Sequence, residues 1–372
     1  MTATRESLKG IGNILPIVLS LLIAACGGGG GGDATPGPSG PPIYSGIMNC
    51  AGSGATGTLI ATVLAPNTTT NIPIAAADVT IQGNGCTGKT GTLGTIQFQN
   101  VPTGVYTLSV QKGFISLTQP GVTVSATPTT ITLRFSATAL HAAVVPGRYD
   151  AVEVVLDRLG FSRTLITKAD LNNAALLSGY NMIFLNCGMD QPLDLTIPES
   201  SVSRSLDVAW ATTIAANLQN FVAAGKHLYA SDWAYVYVEK AFPAAIDFFG
   251  DDTNFGVTVC DETQARIGDS GTYSASILDS SLATALGRTT MSVNFDFDDW
   301  VVLGRLDTQG AGTTNLISGD VVACGTSRGT RPLQVVFPHG TTTPGKVIYT
   351  SFHTQAQATS DMDRILEDLI LQ

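Results

Sequence analysis

One stretch of the chain decides the class of its main fold: Tyr180-Asn181-Met182-Ile183-Phe184-Leu185-Asn186-Cys187-Gly188. Its centre is an apolar run bounded by polar residues and glycine, which is typical of a strand buried on both faces of a sheet. A second apolar run, His227–Ser231, follows a predicted helix over 208–224 that Gly225 closes. Apolar strands that alternate with helices predict a parallel sheet covered on both faces.

The same alternation continues on both sides of this stretch. The further predicted elements are a strand at 141–147, a helix at 149–159, strands at 335–337 and 346–353, and a helix at 360–371. Residues from about 254 to 331 are rich in glycine and β-formers, and we predict that they are a β-rich insertion. We therefore predict a three-layer, parallel-sheet α/β domain of flavodoxin-like type over 138–372.

Residues 46–137 follow a different pattern, in which short β-branched segments alternate with glycine and proline. Such spacing predicts an all-β sandwich. Three pieces in order, Pro73–Val79, Gly88–Gly94 and Phe98–Leu108, resemble the carboxypeptidase regulatory-like domain. That resemblance implies a transthyretin-like or immunoglobulin-like sandwich without catalytic activity, which is either a spacer or a site for protein or carbohydrate.

The first 25 residues have the parts of an export signal, with basic residues, an apolar segment and small residues before Cys26. The stretch Leu22–Cys26 resembles a bacterial lipoprotein signal. The resemblance implies lipidation of Cys26, a Gly/Pro-rich tether over 26–45, and a place in the cell envelope, at the outer membrane of a Gram-negative cell. A plain transmembrane anchor is the alternative, but roughly 20 apolar residues are needed to span a bilayer, and Pro16 interrupts a shorter run.

Composition and charge limit the classes of partner that we expect this protein to bind. The chain has 372 residues, 13% charged, and a net charge of -10, which disfavours nucleic acid because phosphate binding needs clustered basic residues. We predict no cofactor and no metal site. In Phe295–Trp300, alternation alone places both phenylalanines inward and the acidic side chains in solvent.

Five cysteines remain besides Cys26. We predict disulfides between Cys50 and Cys86 and between Cys260 and Cys324, which leaves Cys187 as a buried thiol. Sequence does not determine connectivity, and other pairings of the five remain open.

Candidate site residues lie where the strands of the α/β domain end, because ligands bind at the carboxyl ends of parallel strands. These ends carry Arg148, Asn186, Asp232 and His353. The ends at Asn186–Gly188, Ser231–Ala234 and Ser351–Gln355 are similar to those of class I glutamine amidotransferase-like domains, over roughly 140–372. That family has a nucleophilic cysteine on a tight turn after the strand, a position that Asp232 occupies here.

The resemblance assigns His353 to the family's catalytic histidine and Gln355 to its glutamate. Because the cysteine and the glutamate are both replaced, we expect a binding or scaffolding module for carbohydrate, peptide or a protein partner, without glutaminase activity. The alternative is a hydrolase that uses Ser231 or Asp232 with His353. We predict Trp233, Tyr235, Asn186 and Arg148 as ligand contacts, although core packing is an equal alternative for the two aromatic residues.

Overall fold

The protein is described by a computed structural model that covers residues 40–189, 208–250, 260–354, 356–357 and 359–370. Cys26, the predicted signal and most of the predicted tether lie outside the described residues. Within the described ranges, no helix combines the length and the apolar character needed to cross a membrane.

The strands are β1 (Ile47–Asn49), β2 (Thr56–Leu64), β3 (Asp78–Gln82), β4 (Cys86–Lys89), β5 (Thr95–Pro102), β6 (Gly104–Lys112), β7 (Ile115–Val124), β8 (Thr129–Arg134), β9 (His141–Val145), β10 (Ser162–Leu165), β11 (Met182–Leu185), β12 (His227–Ser231), β13 (Arg266–Gly268), β14 (Gly271–Ile277), β15 (Thr290–Phe295), β16 (Trp300–Val301), β17 (Thr314–Ala323), β18 (Thr326–His339) and β19 (Gly345–Thr350). The α-helices are α1 (Val152–Leu159), α2 (Ala174–Leu177), α3 (Val208–Ala223), α4 (Tyr235–Ala241), α5 (Ser280–Leu286) and α6 (Thr359–Ile370). Short 3₁₀ turns lie at Ala137–Ala139, Lys168–Asn172 and Asp232–Ala234.

The strands of the α/β region pair in parallel in the order β10-β9-β11-β12-β19. Counted along the chain, this is the order 2-1-3-4-5 of flavodoxin-like sheets, in which ligands bind where the strand order reverses. That reversal lies between β9 and β11, which places the loops after Val145 and Leu185 at the crevice. The sheet is therefore of the predicted flavodoxin-like type.

The sheet is nevertheless mixed rather than purely parallel. β18 pairs antiparallel with β19, and β17 pairs antiparallel with β18. Strands from the segment predicted as an insertion thus extend the central sheet instead of forming a separate one. The sequence pattern could not predict that these strands extend the central sheet, because an antiparallel extension and an insertion have the same β-rich composition.

Alternate residues of the parallel strands supply two separate cores. In β11, Met182 and Phe184 pack on one side, whereas Ile183 and Leu185 pack on the other. Both faces are apolar because successive side chains of a strand point to opposite faces and both faces are covered. α1 and α6 contact each other on the first side, and α3 and α4 contact each other on the second.

The N-terminal region consists of two four-stranded sheets, in the orders β1-β5-β2-β8 and β4-β3-β6-β7. Their buried faces belong to one core that also includes α1 and α6 of the α/β region. The predicted disulfide between Cys50 and Cys86 is present. The transthyretin-like or immunoglobulin-like assignment stays a prediction.

Polar contacts join the N-terminal region to the α/β region at buried positions. Nζ of Lys112 lies 2.7 Å from Oδ1 of Asp368, and the two side chains are 4% and 1% exposed. The main-chain N–H of Ala75 donates to Glu367. At the end of α1, Asn67 donates to the main-chain oxygens of Arg158 and Leu159. These contacts satisfy buried polar groups that packing alone would leave unpaired.

Candidate functional site

Asp232 follows β12 at a tight turn. Its φ is +43°, a left-handed conformation that is uncommon for residues other than glycine and that concentrates at functional sites. Ala230 and Ala234, two residues away on either side, are both fully buried. The hydroxyl of Tyr349 donates to the main-chain oxygen of Asp232. The backbone therefore makes a tight, left-handed turn at the position where the resemblance implies an elbow.

Both oxygens of the Asp232 carboxylate accept hydrogen bonds. The N–H of Val301 donates to Oδ1 at 2.7 Å, and Nε2 of His353 lies 2.9 Å from Oδ2. Sγ of Cys187 lies 3.3 Å from the same Oδ2 atom. The residue at the elbow is therefore paired with the predicted histidine, and a cysteine from another strand end joins them.

His353 is a cation at neutral pH. Burial alone would lower its pKa, but the hydrogen bond to Asp232 and the negative charges of Asp232, Asp150 and Asp296 together raise the pKa to about 9. Its second ring nitrogen, Nδ1, lies 3.3 Å from Oδ1 of Asp296. The imidazole is thus held between two carboxylates, which fixes its orientation.

Ser231 does not fit the predicted role of nucleophile. Its side chain is fully buried, its Oγ donates to Oδ2 of Asp150 at 2.8 Å, and the same Oγ accepts from the N–H of Cys187. Burial raises the pKa of Asp150, against hydrogen bonds from Thr354 and Ser231 that lower it. Ser231 therefore links two other strand ends, an arrangement that disfavours a nucleophile, and its catalytic role stays a prediction.

Cys187 is a buried thiol, as predicted. Burial and then the charge of Asp232 raise its pKa, while a backbone hydrogen bond from Trp233 lowers it. A thiol must ionise to act as a nucleophile. Cys187 is accordingly a poor nucleophile in this environment.

A cavity of about 290 Å³ lies over the Asp232–His353 pair. It is lined by Tyr149, Asp232, Trp233, Asn294, Phe295, Asp296, Phe297, Asp298, Asp299, Trp300 and His353. We call residues 294–301, which run from the end of β15 through β16, the cavity loop. The cavity therefore combines aromatic rings with four carboxylates and one imidazole.

Aromatic contacts organise the cavity wall around Tyr149. Its ring centroid lies 5.0 Å from that of Trp233 and 5.5 Å from that of Phe297. Nε1 of Trp233 donates to the main-chain oxygen of Asp299, and the guanidinium of Arg266 lies 3.7 Å from the centre of the Trp233 ring. The wall is thus fixed by contacts behind it and presents its rings to the cavity.

Among the predicted ligand contacts, only Trp233 lines the cavity. Asn186 is fully buried and donates to Glu153 and to the main-chain oxygen of Asp150. Tyr235 is 1% exposed and packs on Phe248. Arg148 is exposed and lies outside the lining. None of these three residues lines the cavity, because a polar or aromatic strand end can serve packing as readily as a ligand, and their role as ligand contacts stays a prediction.

The predicted bond between Cys260 and Cys324 is not formed. Both residues are free thiols, although the two side chains are in hydrogen-bond contact.

The sequence prediction for the second phenylalanine of the cavity loop, which placed it inward, is also wrong. Phe295 is buried, but Phe297 is 52% exposed and lines the cavity, because the loop leaves the strand after Phe295 and its alternation ends there.

No family model matches the sequence, and no curated protein matches it. Solved structures that are similar to this chain at low identity include amidotransferase-like and ThuA-like proteins. A glutamine amidotransferase from Thermotoga maritima is 10% identical, with a TM-score of 0.35; the match covers 61% of this chain and 81% of that one. A ThuA-like protein from Bacteroides uniformis is 10% identical, with a TM-score of 0.39 and coverage of 62% and 89%.

A GMP synthase-type protein from Thermoplasma acidophilum is 12% identical, with a TM-score of 0.38 and coverage of 62% and 93%. Because these TM-scores are below 0.5, the similarities carry no argument about activity.

Proposed function

We propose that this protein is a ligand-binding module whose cavity takes a small ligand with a protonated amine on an apolar or ring-shaped body. A basic side chain of a peptide and an amino sugar both belong to this class. The observation that carries the proposal is the cavity itself, in which aromatic rings and carboxylates surround an Asp–His pair that is already hydrogen-bonded.

Charge favours a cation as the ligand. Asp296, Asp298 and Asp299 line the cavity with Asp232, and His353 is the cation among the lining residues. Hydrogen bonds from Ser270 lower the pKa of Asp298, so that carboxylate is ionised at neutral pH. A cleft lined by one sign of charge concentrates ligands of the opposite sign.

The aromatic wall favours the same ligand class. Tyr149, Trp233 and Phe297 present neighbouring rings to the cavity. A cation within about 6 Å of a ring centroid gains about 0.5–1 kcal/mol at an exposed site and about 2 kcal/mol when desolvated. The same rings stack on the apolar face of a sugar or on an alkyl chain.

Acyl transfer is disfavoured by the state of the central pair. Both oxygens of Asp232 accept hydrogen bonds, and Ser231 is buried. Acyl transfer needs an activated nucleophile beside its base. The geometry therefore suits recognition better than covalent chemistry.

Two matched ligand pairs test the proposal by tryptophan fluorescence, since two of the three tryptophans line the cavity. The pairs are glucosamine against glucose, and a lysine peptide against the same peptide with acetylated lysine. We expect saturable binding of a cationic member, at least roughly tenfold tighter than that of its neutral partner, and weaker at high salt.

The variants Phe297→Ala and Asp296→Asn should each weaken that binding roughly fivefold, equivalent to about 1 kcal/mol. Leu306→Ala and Asp307→Asn are matched controls, because these side chains are exposed and outside the cavity lining. Equal binding of glucose and glucosamine would contradict the charge requirement. If neither glucosamine nor the lysine peptide bound, the proposed function would be contradicted.

Hydrolysis by Asp232 with His353 is the second candidate. It is favoured by the left-handed elbow at Asp232 and its 2.9 Å contact with His353 at the cavity. Ester, peptide and glycoside probes would be hydrolysed by the wild type and by Ser231→Ala, but not by Asp232→Asn or His353→Gln. Inactivity of the wild type across these probes would leave binding as the function.

We also propose that Cys26 carries a lipid and holds the protein at the cell envelope. The support is the run of small residues before Cys26 and the apolar segment that precedes them. Metabolic labelling with a fatty acid should mark the wild type and not Cys26→Ser, with Cys324→Ser as the matched control. Unlabelled wild-type protein would contradict the lipid anchor.

A further inference from the structure

We propose that Cys187, Asp232 and His353 form a binding site for one zinc-type divalent ion at the base of the cavity, through Sγ, Oδ2 and Nε2. The three residues come from three different strand ends, after β11, β12 and β19. The inference does not rest on the proposed amine ligand, because it concerns only these three side chains.

The ligand atoms already lie close to the spacing that a tetrahedral ion requires. Sγ of Cys187 is 3.3 Å from Oδ2 of Asp232, that oxygen is 2.9 Å from Nε2 of His353, and the three atoms lie within 4.8 Å of one another. Ligands at about 2.0–2.3 Å from zinc in tetrahedral geometry are roughly 3.4–3.6 Å apart. The two contacts to Oδ2 would therefore have to lengthen by roughly half an ångström or less to admit the ion.

Neighbouring groups orient each ligand atom. The N–H of Val301 holds Oδ1 of Asp232, which turns Oδ2 toward the other two ligands. Oδ1 of Asp296 lies 3.3 Å from Nδ1 of His353, close to the carboxylate–histidine arrangement that fixes metal-binding imidazoles. A backbone hydrogen bond from Trp233 reaches the Cys187 sulfur and favours its thiolate.

The mixed ligand set indicates the kind of ion. Thiolate and imidazole select borderline or soft ions such as Zn²⁺, whereas Mg²⁺ and Ca²⁺ prefer oxygen ligands. On binding, the thiol proton of Cys187 and the proton shared by His353 and Asp232 pass to solvent. Three protein ligands leave one tetrahedral position, and Asp232 and His353 both line the cavity.

Cobalt substitution tests the site directly. The full-length protein is freed of metal with a chelator and titrated with Co²⁺, and thiolate coordination is followed by its charge-transfer absorption. The background carries Cys260→Ser and Cys324→Ser, because these two neighbouring thiols could bind cobalt themselves. We expect one Co²⁺ per chain, and we expect Zn²⁺ to displace it and abolish the absorption.

In that background, Cys187→Ser should abolish the absorption, and His353→Gln and Asp232→Asn should each weaken binding at least roughly tenfold. Asn tolerates the left-handed backbone at position 232, so Asp232→Asn remains informative if the cysteine variant fails to fold. His141→Gln, an exposed histidine away from the cavity, is the control and should bind normally. The absence of stoichiometric binding, or binding unchanged by His353→Gln and Asp232→Asn, would overturn the proposal. Chelator-treated protein is also titrated with glucosamine and followed by tryptophan fluorescence. This measurement tests the amine proposal without the metal, so failure of one proposal can be told from failure of the other.

Discussion

The imidazole of His353 and the carboxylate of Asp232 are 2.9 Å apart at a buried contact, where the two side chains are 8% and 2% exposed. They come from the ends of β19 and β12, which are neighbours in the parallel sheet. Neighbouring parallel strands bring their carboxyl ends to one edge. The pair is therefore a direct product of the strand order.

The ionisation of His353 should make stability depend on pH. Its pKa of about 9, above the ordinary 6.5, means that the folded state holds the proton more tightly than the unfolded state. The stabilisation is fully present below about pH 6.5 and is lost as pH rises through about 9. In His353→Gln, chemical unfolding should show that this part of the pH dependence has disappeared, whereas His141→Gln should keep it.

The ionisation of Glu367 should also make stability depend on pH, over a lower pH range than that of His353. Burial raises its pKa from 4.5 to about 8, with an opposing effect of Lys112. Since the folded state favours the protonated carboxyl, the free energy of unfolding should fall as pH rises from about 4.5 to about 8. Glu367→Gln should flatten this slope and leave the bond from the N–H of Ala75 in place. The exposed Glu262→Gln is the control, and a wild-type stability that rises across this range would refute the assignment.

Gly147 should tolerate no side chain. A Cβ atom there would lie 1.9 Å from the main-chain oxygen of Cys187, so Gly147→Ala must displace the loop after β11. Such overpacking costs about 1–3 kcal/mol. Urea unfolding should show that loss for Gly147→Ala and little for Gly104→Ala, where the nearest atom is 3.5 Å away. Equal stability of the two variants would mean that the strand ends adapt freely.

Removal of the disulfide between Cys50 and Cys86 should destabilise the N-terminal region. The bond closes a loop between residues 36 positions apart, and such cross-links contribute about 2–4 kcal/mol, largely by restricting the unfolded chain. The double variant Cys50→Ser, Cys86→Ser should lose that amount in chemical unfolding under oxidising conditions. Under reducing conditions, the wild type should have the same free energy of unfolding as the double variant.

The sequence predicts the parallel strands well because their signals are local, whereas the elbow at Asp232 is expected from the family resemblance of Ser231–Ala234. Apolar runs mark the buried strands, and small residues at 230 and 234 flank Asp232. The pairing with His353 follows once two strand ends are placed side by side. These parts of the site could be predicted without long-range information.

The remaining features depend on contacts between distant segments. Nothing near Ser231 indicates that Asp150 will bury its hydroxyl, and nothing near Cys187 indicates that it will meet Asp232. The cavity loop meets the site through long-range contacts: Val301 with Asp232, Asp299 with Trp233, and Asp296 with His353. Local sequence pattern does not show such pairs, so it could not distinguish Asp232, which lines the cavity, from Asn186, which does not.

The contacts that attach the cavity loop to the elbow use main-chain atoms of the loop: the N–H of Val301 and the oxygen of Asp299. Substitutions at 296–298 would therefore leave this attachment intact while changing the charge and shape that a ligand meets. A protein built in this way can acquire a new ligand preference over evolutionary time through a few changes in one loop, at little cost to the sheet beneath.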